Sequence, residues 1–307
     1  MVYKIYIGKD TWFHPKNEEG LNLFIKHGYL EKTNNIDESD IILYISPSPK
    51  FSGSINEINI YDTKYKNKVI IIGPHFSVFP TDYIKSIDNS INNNIKFNLL
   101  SEWVVNFWKI LMNNNLPLVQ MPYPVDTELF KPDETIYIKK DIIIYIKNRS
   151  IYDYQYIIDY IKNNYNEYNI HIFNYKITYE QNDYISSLKN AKFCIWIGCP
   201  ESQGFAVLEA LSMNVPLLVF NVYTMGQIEG LENDQIYCNI KATTIPYWDE
   251  KCGEKFYKKE DFEKSLKILL SKIDAGYYTP RKFILDNLNV HNAFNNYWKP
   301  IIENCKL

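Results

Sequence analysis

Short runs of β-branched and aromatic residues alternate with longer amphipathic segments along most of the chain. The runs Val2–Ile7, Ile41–Ile45 and Asp141–Ile146 predict strands, and Glu102–Leu111 and Tyr152–Asn163 carry apolar residues at helical spacing. Strands that alternate with helices build β/α units, in which the strands pair in parallel. The sequence therefore predicts an α/β fold made of doubly wound parallel sheets.

A proline-rich connection interrupts this series, because Met121–Pro132 holds three prolines within twelve residues. Proline removes a backbone donor and fixes φ, so this stretch predicts a connection between two domains. The length of 307 residues agrees with about two domains. The other predicted strands are Lys68–Ile72, Ile95–Leu99, Leu118–Met121, Asn169–Phe173, Phe193–Ile197 and Pro216–Phe220. The other predicted helices are Glu18–His27, Asn182–Leu188, Gln203–Ser212, Lys259–Ile273, Pro280–Leu288 and Asn292–Glu303.

Charge and cysteine content exclude several classes of protein. The net charge of -3 is no basis for binding duplex nucleic acid, which needs a surplus of cations to neutralise phosphates. The five cysteines match no zinc-ligand spacing and are too few for a disulfide scaffold, so we expect a reducing compartment. The first residues read as a strand rather than a secretory leader, and the longest uncharged stretch, 210–228, contains several polar residues. We expect a cytoplasmic protein without a transmembrane segment, for which peripheral membrane contact remains open.

The glycines and acidic residues exclude further chemistry. No G-x-G-x-x-G loop, P-loop, G-x-S-x-G elbow or H-E-x-x-H motif occurs in the sequence. No two aspartates stand two positions apart, so an Asp-x-Asp clamp for a divalent metal is also missing. These absences argue against Rossmann dehydrogenases, P-loop NTPases, serine hydrolases of that fold and zincins, and they predict no metal site.

The most informative segment is 193–220, which reads as strand, tight loop, helix, turn and strand. Glu201 and Glu209 stand eight positions apart, and Gly204 precedes the helix. A glycine at a helix start lets the backbone approach a ligand, and the free amides with the helix dipole form an anion site. Carboxylates beside such a site suit neutral hydroxyl groups. Two glutamates at this spacing also arise by chance. If both bind hydroxyls of a ligand whose phosphate lies at the helix start, that ligand has a phosphate flanked by hydroxyl-bearing rings, which describes a nucleotide sugar.

The segment resembles the E-x7-E region of retaining GT-B glycosyltransferases of the large family 4 group, usually Glu-x-Phe-Gly-x-x-x-x-Glu-Ala followed by Gly-x-Pro-Val. A second stretch, Pro124-Val-Asp-Thr-Glu-Leu-Phe-Lys-Pro132, is similar to the interdomain segment of that family. The resemblance covers the C-terminal half, whereas the first 120 residues match only as a pattern of strands and helices. Asn214 stands where the family has a turn glycine.

The resemblance implies a role for each matching residue. Glu201 would contact hydroxyls of the donor sugar, Glu209 the ribose, and the amides near Gly204 the diphosphate. The family also places cations after the first strand of the second domain, where this chain has Lys147 and Arg149. The usual spacing is not kept, so which of the two cations is the main diphosphate ligand stays open.

The remaining candidates follow from position. Tyr175 to Ile177 occupy the place where, in the family, the backbone frames the base. Gly8 and His75 follow strands of the first domain, where α/β sheets bind ligands. A histidine there could donate to the leaving phosphate or to a sugar hydroxyl, or could equally be a loop histidine that bonds backbone. The proposed catalytic set is Glu201, His75, Arg149 and Lys147. The proposed donor-binding set is Gly8, Tyr175, Ile177, Gln203, Gly204, Phe205 and Glu209.

Together the pattern of elements and the family resemblance predict a GT-B fold with two Rossmann-like domains facing a cleft and a helical C-terminal tail. Residues 1–121 would form the acceptor-side domain, with 290–307 returning to it, and residues 122–289 the nucleotide-sugar domain. The expected activity is metal-independent, retaining transfer from a nucleoside-diphosphate sugar, with UDP favoured over GDP, to a glycan, glycoprotein or small hydroxyl acceptor. No cofactor is expected besides this donor substrate. The alternatives are a GT-B sugar-nucleotide epimerase and a GT-B-like binding module without turnover.

Overall fold

The computed structural model describes residues 2–8, 13–45, 64–75, 78–80, 82–85, 92–112, 115–177, 179–228 and 230–305. The chain divides into two compact units, and each has its own parallel sheet. Unit 1 consists of Met1–Pro124 with Leu288–Leu307, and unit 2 consists of Val125–Asn287. Among the described residues, no helix has the length and apolar character needed to cross a bilayer.

Unit 1 is built on a six-stranded sheet of order β2-β1-β3-β4-β5-β6, in which all neighbours are parallel. Its strands are β1 (Tyr3–Ile7), β2 (Leu30–Thr33), β3 (Ile41–Tyr44), β4 (Val69–Ile72), β5 (Ile95–Leu99) and β6 (Leu118–Gln120). Its first three described helices are α1 (Pro15–Lys26), α2 (Asp82–Lys85) and α3 (Glu102–Leu111). Strands β3 and β4 are wholly buried, as expected for the centre of a parallel sheet.

Unit 2 is built on a five-stranded parallel sheet of order β11-β10-β9-β7-β8. Its strands are β7 (Asp141–Ile146), β8 (Asn169–Asn174), β9 (Ala191–Ile197), β10 (Leu217–Phe220) and β11 (Gly253–Phe256). Its helices are α4 (Ile151–Asn164), α5 (Gln181–Asn190), α6 (Phe205–Ser212), α7 (Phe262–Asp274) and α8 (Pro280–Asn287). Buried isoleucines of β7 and β9 pack with residues of α4 and α7 in one apolar core.

The C-terminal segment belongs to unit 1. It runs through α9 (Val290–Ala293), a π-helical stretch (Phe294–Trp298) and α10 (Lys299–Asn304). The Trp298 ring is fully buried, lies 5.2 Å from the Phe24 ring of α1, and donates its indole N–H to the carbonyl of Pro122 at 2.8 Å. Phe294 stacks on Tyr29 with ring centroids 4.6 Å apart. The aromatic residues of the tail are therefore part of the unit 1 core.

The prediction of a two-sheet α/β fold with a helical C-terminus is confirmed, but several element bounds differ. Strands β2 and β11 escaped the sequence analysis because both are edge strands that carry charged residues at their centres. The helix predicted from Gln203 begins instead at Phe205, since Gly204 adopts a left-handed conformation with φ of 79°. The tail predicted as one helix over 292–303 contains the π-helical stretch, which the apolar spacing did not indicate.

Candidate functional site

The candidate site of unit 2 lies where β7 and β9 end side by side. The amide of Lys147 donates to the carbonyl of Ile197 at 2.9 Å, and the amide of Cys199 donates to the carbonyl of Lys147 at 3.1 Å. Asn148, the residue directly after Lys147, has a positive φ of 51°, which is uncommon for a residue other than glycine. These bonds join the loop after β7 to the loop after β9, so residues distant in sequence share one surface.

An ion pair connects the two loops. The Lys147 Nζ atom lies 2.8 Å from Glu201 Oε1 and 2.9 Å from Oε2, and it sits 4.6 Å from the centre of the Tyr175 ring. The Lys147 side chain is 24% exposed and that of Glu201 is 8% exposed. Burial by itself lowers the pKa of Lys147, but the attraction of the Glu201 carboxylate outweighs it and leaves this pKa raised. Burial raises the pKa of Glu201, and Lys147 offsets only part of that effect.

Arg149 is packed inside the same surface. Its side chain is 5% exposed, its Nε atom lies 3.2 Å from the Asp153 carboxylate, and its Nη1 atom donates to the carbonyl of Gly198 at 3.3 Å. The guanidinium carbon stands 4.5 Å from the centre of the Phe220 ring. The plane of Arg149 thus supports the loop that leads to Glu201, and within the described part of the chain Nη2 makes no hydrogen bond.

The sequence analysis missed a clasp that holds the backbone of Glu201. The amide of Glu201 donates to the carbonyl of Thr243 at 3.1 Å. The buried Asn221, just beyond β10, accepts hydrogen bonds at Oδ1 from the hydroxyls of Thr243 and Thr244 and from the amide of Thr244. The position of Asn221 directly after a buried strand was the signal available in the sequence.

Helix α6 begins directly after this loop. Gly204 is its N-cap residue, and a Cβ atom there would lie 3.0 Å from Val207 Cγ1 in addition to requiring the strained positive φ. The first turn of a helix leaves amides without intrahelical partners, so the backbone from Phe205 onwards presents N–H groups. Gln203 is completely buried, and Glu209, in the second turn, is 5% exposed.

The predicted base-framing residues follow β8. The amide of Tyr175 donates to the carbonyl of Ile146, and the amide of Ile177 donates to the carbonyl of Asn174. Both side chains are exposed, at 50% for Tyr175 and 67% for Ile177. The contact between the Lys147 ammonium and the Tyr175 ring places Tyr175 beside the ion pair. No contact ties Ile177 to the charged residues in the described part of the chain.

Gly8 and His75 lie in unit 1, each just after a strand of its sheet. The amide of Gly8 donates to the carbonyl of Leu43 at 3.1 Å. His75 is 7% exposed and its ring centre lies 4.5 Å from that of Trp108. Burial lowers the pKa of His75 to about 3, so its imidazole is neutral at physiological pH.

The unit 2 surface therefore combines an ammonium group, a buried guanidinium, a helix N-terminus and a buried carboxylate at the carboxyl ends of β7 and β9. Cations and free amides bind anionic oxygens, while a carboxylate accepts hydrogen bonds from hydroxyls. The described residues include no group of three or more His, Cys, Asp or Glu side chains placed to hold a metal ion. The arrangement suits a ligand that has both phosphate and hydroxyl groups.

Two units, each built on a parallel sheet with helices, and a helical C-terminus define a GT-B fold. The structure of Anabaena Alr3699/HepE in complex with UDP matches with a TM-score of 0.55 at 10% identity, over 96% of this chain and 98% of that one. The catalytic domain of starch synthase IV from Arabidopsis thaliana, bound to ADP and acarbose, matches with a TM-score of 0.52 at 8% identity, over 96% and 78%.

TarM matches with a TM-score of 0.51 at 14% identity, over 85% of this chain and 54% of TarM, so the chain spans about half of TarM. These structural neighbours are GT-B glycosyltransferases. No protein-family model and no curated protein sequence matches the chain. At such low identity the likeness shows the fold.

Proposed function

We propose that this protein is a retaining GT-B glycosyltransferase, similar to the family 4 group, that uses a UDP-sugar without a metal ion. The observation that carries the proposal is the ion pair between Lys147 and Glu201, which stands beside the N-terminus of α6. The pair places a cation that can bind phosphate at hydrogen-bond distance from a carboxylate that can bind hydroxyl groups. The UDP bound in the HepE structure supports the preference for UDP over GDP.

In this proposal the diphosphate binds to the amides of the first turn of α6 and to Lys147. Gly204 is required there because a side chain would be strained at a positive φ and would crowd the Val207 side chain. Arg149 contributes through Nη2 and holds the Gly198 carbonyl in place through Nη1. Preorganised donors of this kind stabilise the charge that develops on a leaving diphosphate.

The carboxylates and the tyrosine would orient the rest of the donor. Glu201 accepts hydrogen bonds from sugar hydroxyls while it keeps its contact with Lys147, and Glu209 binds the ribose. Tyr175 and Ile177 frame the base, and Gln203 and Phe205 line the segment between sugar and diphosphate. The acceptor hydroxyl then attacks on the face from which the diphosphate leaves, and that diphosphate takes the proton, so the anomeric configuration is retained.

The test is to incubate the purified chain with EDTA, a panel of UDP- and GDP-sugars, and glycan acceptors. We expect released UDP, a product whose anomeric proton has the configuration of the donor, and unchanged UDP affinity in EDTA. An isomerised sugar nucleotide would indicate an epimerase, and UDP binding without turnover would indicate a binding module. A strict requirement for Mn²⁺ or Mg²⁺ in UDP binding would overturn the metal-free part of the proposal.

A further inference from the structure

Unit 2 has a pocket of about 400 Å³ at the amino ends of β7 and β8, beside the last turn of α5. The residues that line it include Lys140, Asp141, Asn169, His171, Ser187 and Asn190. The candidate site lies at the other end of β7, and a six-residue strand is about 17 Å long. The pocket is therefore separate from the candidate site, and its size suits a small molecule.

The pocket contains a buried carboxylate. Asp141 begins β7, and its side chain is 8% exposed. Its Oδ1 atom accepts a hydrogen bond at 2.9 Å from the amide of Asn169, the residue beside it on β8. Within the described part of the chain this is the only hydrogen bond to the carboxylate, and no lysine or arginine forms an ion pair with it. Buried charges in proteins are normally paired, so Asp141 calls for a cation that the described residues do not supply.

Neither His171 nor Lys140 is a fixed counter-charge for Asp141. The His171 Nε2 atom lies 3.1 Å from Asp141 Oδ2, but the two groups are not oriented for a hydrogen bond. An imidazole is charged only when it is protonated, whereas an ammonium group keeps its charge at neutral pH. Lys140 is exposed and forms no ion pair with Asp141. The negative charge of Asp141 is thus open to a ligand.

Helix α5 adds hydrogen-bond acceptors to the pocket. Ser187 is 7% exposed, and among the described residues its hydroxyl has no hydrogen-bond partner. Asn190 donates its amide to the carbonyl of Ser186 at 3.4 Å, which leaves its Oδ1 atom as an acceptor. Both Ser187 and Asn190 are in the last turn of α5, where the helix dipole places partial negative charge. This end of the helix stabilises cations and disfavours anions.

These groups indicate the chemical class of the ligand. A primary ammonium group donates three hydrogen bonds, accepts none, and carries the charge that Asp141 requires. A phosphate or carboxylate would be repelled by Asp141 and by the C-terminus of α5. A metal ion needs more protein ligands, and the described residues include no group of three or more His, Cys, Asp or Glu side chains placed to hold one. An organic amine fits the pocket best.

We propose that this pocket of unit 2 binds a small molecule through a primary ammonium group, which pairs with Asp141 and donates to Ser187 and Asn190. The positive charge of Lys140 at the same pocket favours a molecule with one ammonium group over a polyamine. Because the pocket and the candidate site lie at opposite ends of β7, this binding is independent of the proposed glycosyltransferase function.

The test compares 5-aminopentan-1-ol with pentane-1,5-diol, a matched ligand that has a hydroxyl in place of the ammonium group. Each is titrated into the full chain to tens of millimolar at pH 8, with protein-observed NMR as the readout. We expect the amine to shift the resonances of His171 and Ser187 in a saturable way, and the diol and inorganic phosphate not to shift them. The affinity for the amine should fall by about tenfold or more in Asp141→Asn and by about threefold in Ser187→Ala.

The affinity for UDP serves as the internal control. Both variants should bind UDP within about twofold of wild type, because the substitutions are far from the candidate site. A wild-type protein that binds the amine but neither binds nor turns over a UDP-sugar would contradict the proposed function and leave the amine site supported.

Thermal unfolding separates a ligand site from a structural carboxylate. Because Asp141 has no lysine or arginine partner, Asp141→Asn should keep or raise the Tm of the free protein. The matched control is Glu254→Gln in the same unit. The Glu254 carboxylate lies 2.6 Å from Lys272 Nζ and accepts a hydrogen bond from the Tyr278 hydroxyl at 2.5 Å. That variant should lower the Tm, since it removes a paired charge.

Four results would overturn the inference. Absence of saturable binding by 5-aminopentan-1-ol would remove the site, and equal binding of the diol would remove the ammonium group from recognition. A fall in Tm for Asp141→Asn comparable with that of Glu254→Gln would make Asp141 a structural residue. Binding of Zn²⁺ to His171 and Asp141 with exclusion of the amine would overturn the assignment to an organic ligand.

Discussion

The ion pair between Lys147 and Glu201 allows a quantitative prediction. Two unit charges 2.8 Å apart attract by about 6 kcal/mol at an effective dielectric constant near 20, although desolvation cancels much of this. Replacement of Lys147 by Met leaves a carboxylate that is 8% exposed without its cation, and we expect the free energy of unfolding to fall by about 3 kcal/mol. Replacement of Glu201 by Gln leaves a lysine that is 24% exposed and can reach water, so the expected loss is about 1 kcal/mol.

The double variant should be less destabilised than the sum of the single variants. It removes both charges, and we expect a coupling free energy of about 2 kcal/mol from urea unfolding followed by circular dichroism. Arg281, whose guanidinium donates to backbone and hydroxyl oxygens elsewhere in unit 2, provides a non-coupled reference partner for Lys147→Met. If the effects of the Lys147 and Glu201 variants add to within about 0.5 kcal/mol, the pair is not a significant interaction in solution.

The pH dependence of the Lys147 variant has a definite sign. Burial raises the pKa of Glu201 already in the wild type, and the loss of Lys147 raises it further. Between the unfolded and the folded pKa the folded state then holds more protons than the unfolded state, so stability falls as pH rises through that window. Lys147→Met should therefore lose less stability at pH 5 than at pH 8. An equal loss at both pH values would contradict the assignment of a buried, ionised Glu201.

Four further variants, two of them with a control substitution, test other parts of the structure. Arg281→Met should lower the free energy of unfolding by about 3 kcal/mol, because three backbone carbonyls lose a charged donor, and Arg281→Lys should recover less than half of that. Trp298→Ala should lower the free energy of unfolding by about 4 kcal/mol, since the ring is fully buried in unit 1. Replacement of the exposed Lys299 by Ala should change that free energy by no more than about 0.5 kcal/mol. His75 has a folded pKa of about 3 against an ordinary 6.5, so the unfolded state binds the extra proton and stability falls as pH falls through this range. His75→Gln should remove an acid slope of up to about 1.4 kcal/mol per pH unit. Gly204→Ala should weaken UDP binding by about tenfold in calorimetry at a folding cost near 1 kcal/mol, because φ is positive there.

The contrary outcomes are equally concrete. A neutral Arg281→Met would mean that water replaces the guanidinium, and a mild Trp298→Ala would mean that the tail contributes little to the unit 1 core. An unchanged acid slope in His75→Gln would show that another group titrates. Full UDP affinity in Gly204→Ala would remove the α6 amides from the proposed donor site.

Several features of the fold were predictable because they depend on local patterns. Strands β5 and β7 were predicted at the residues where the structure has them. In β7 the signal is purely local, because its four isoleucines make a nearly continuous run of apolar β-branched residues, as expected for a buried strand of a parallel sheet. Edge strands β2 and β11 lack that signal because one side faces solvent, and the charged residues Glu31 and Lys255 dilute the apolar pattern.

In the candidate site, too, some features follow from local sequence and others only from the tertiary structure. The sequence by itself determined which residue types follow each strand of unit 2, including Lys147 after β7 and Glu201 after β9, because strand order and loop chemistry are local properties. Only the tertiary structure decided that these two side chains, 54 positions apart, meet in an ion pair, and that Asn221 clasps the segment behind Glu201. Parallel pairing brings together the ends of strands that are distant in sequence, and burial then requires their polar groups to find partners. Neither effect can be read from the residues adjacent in sequence.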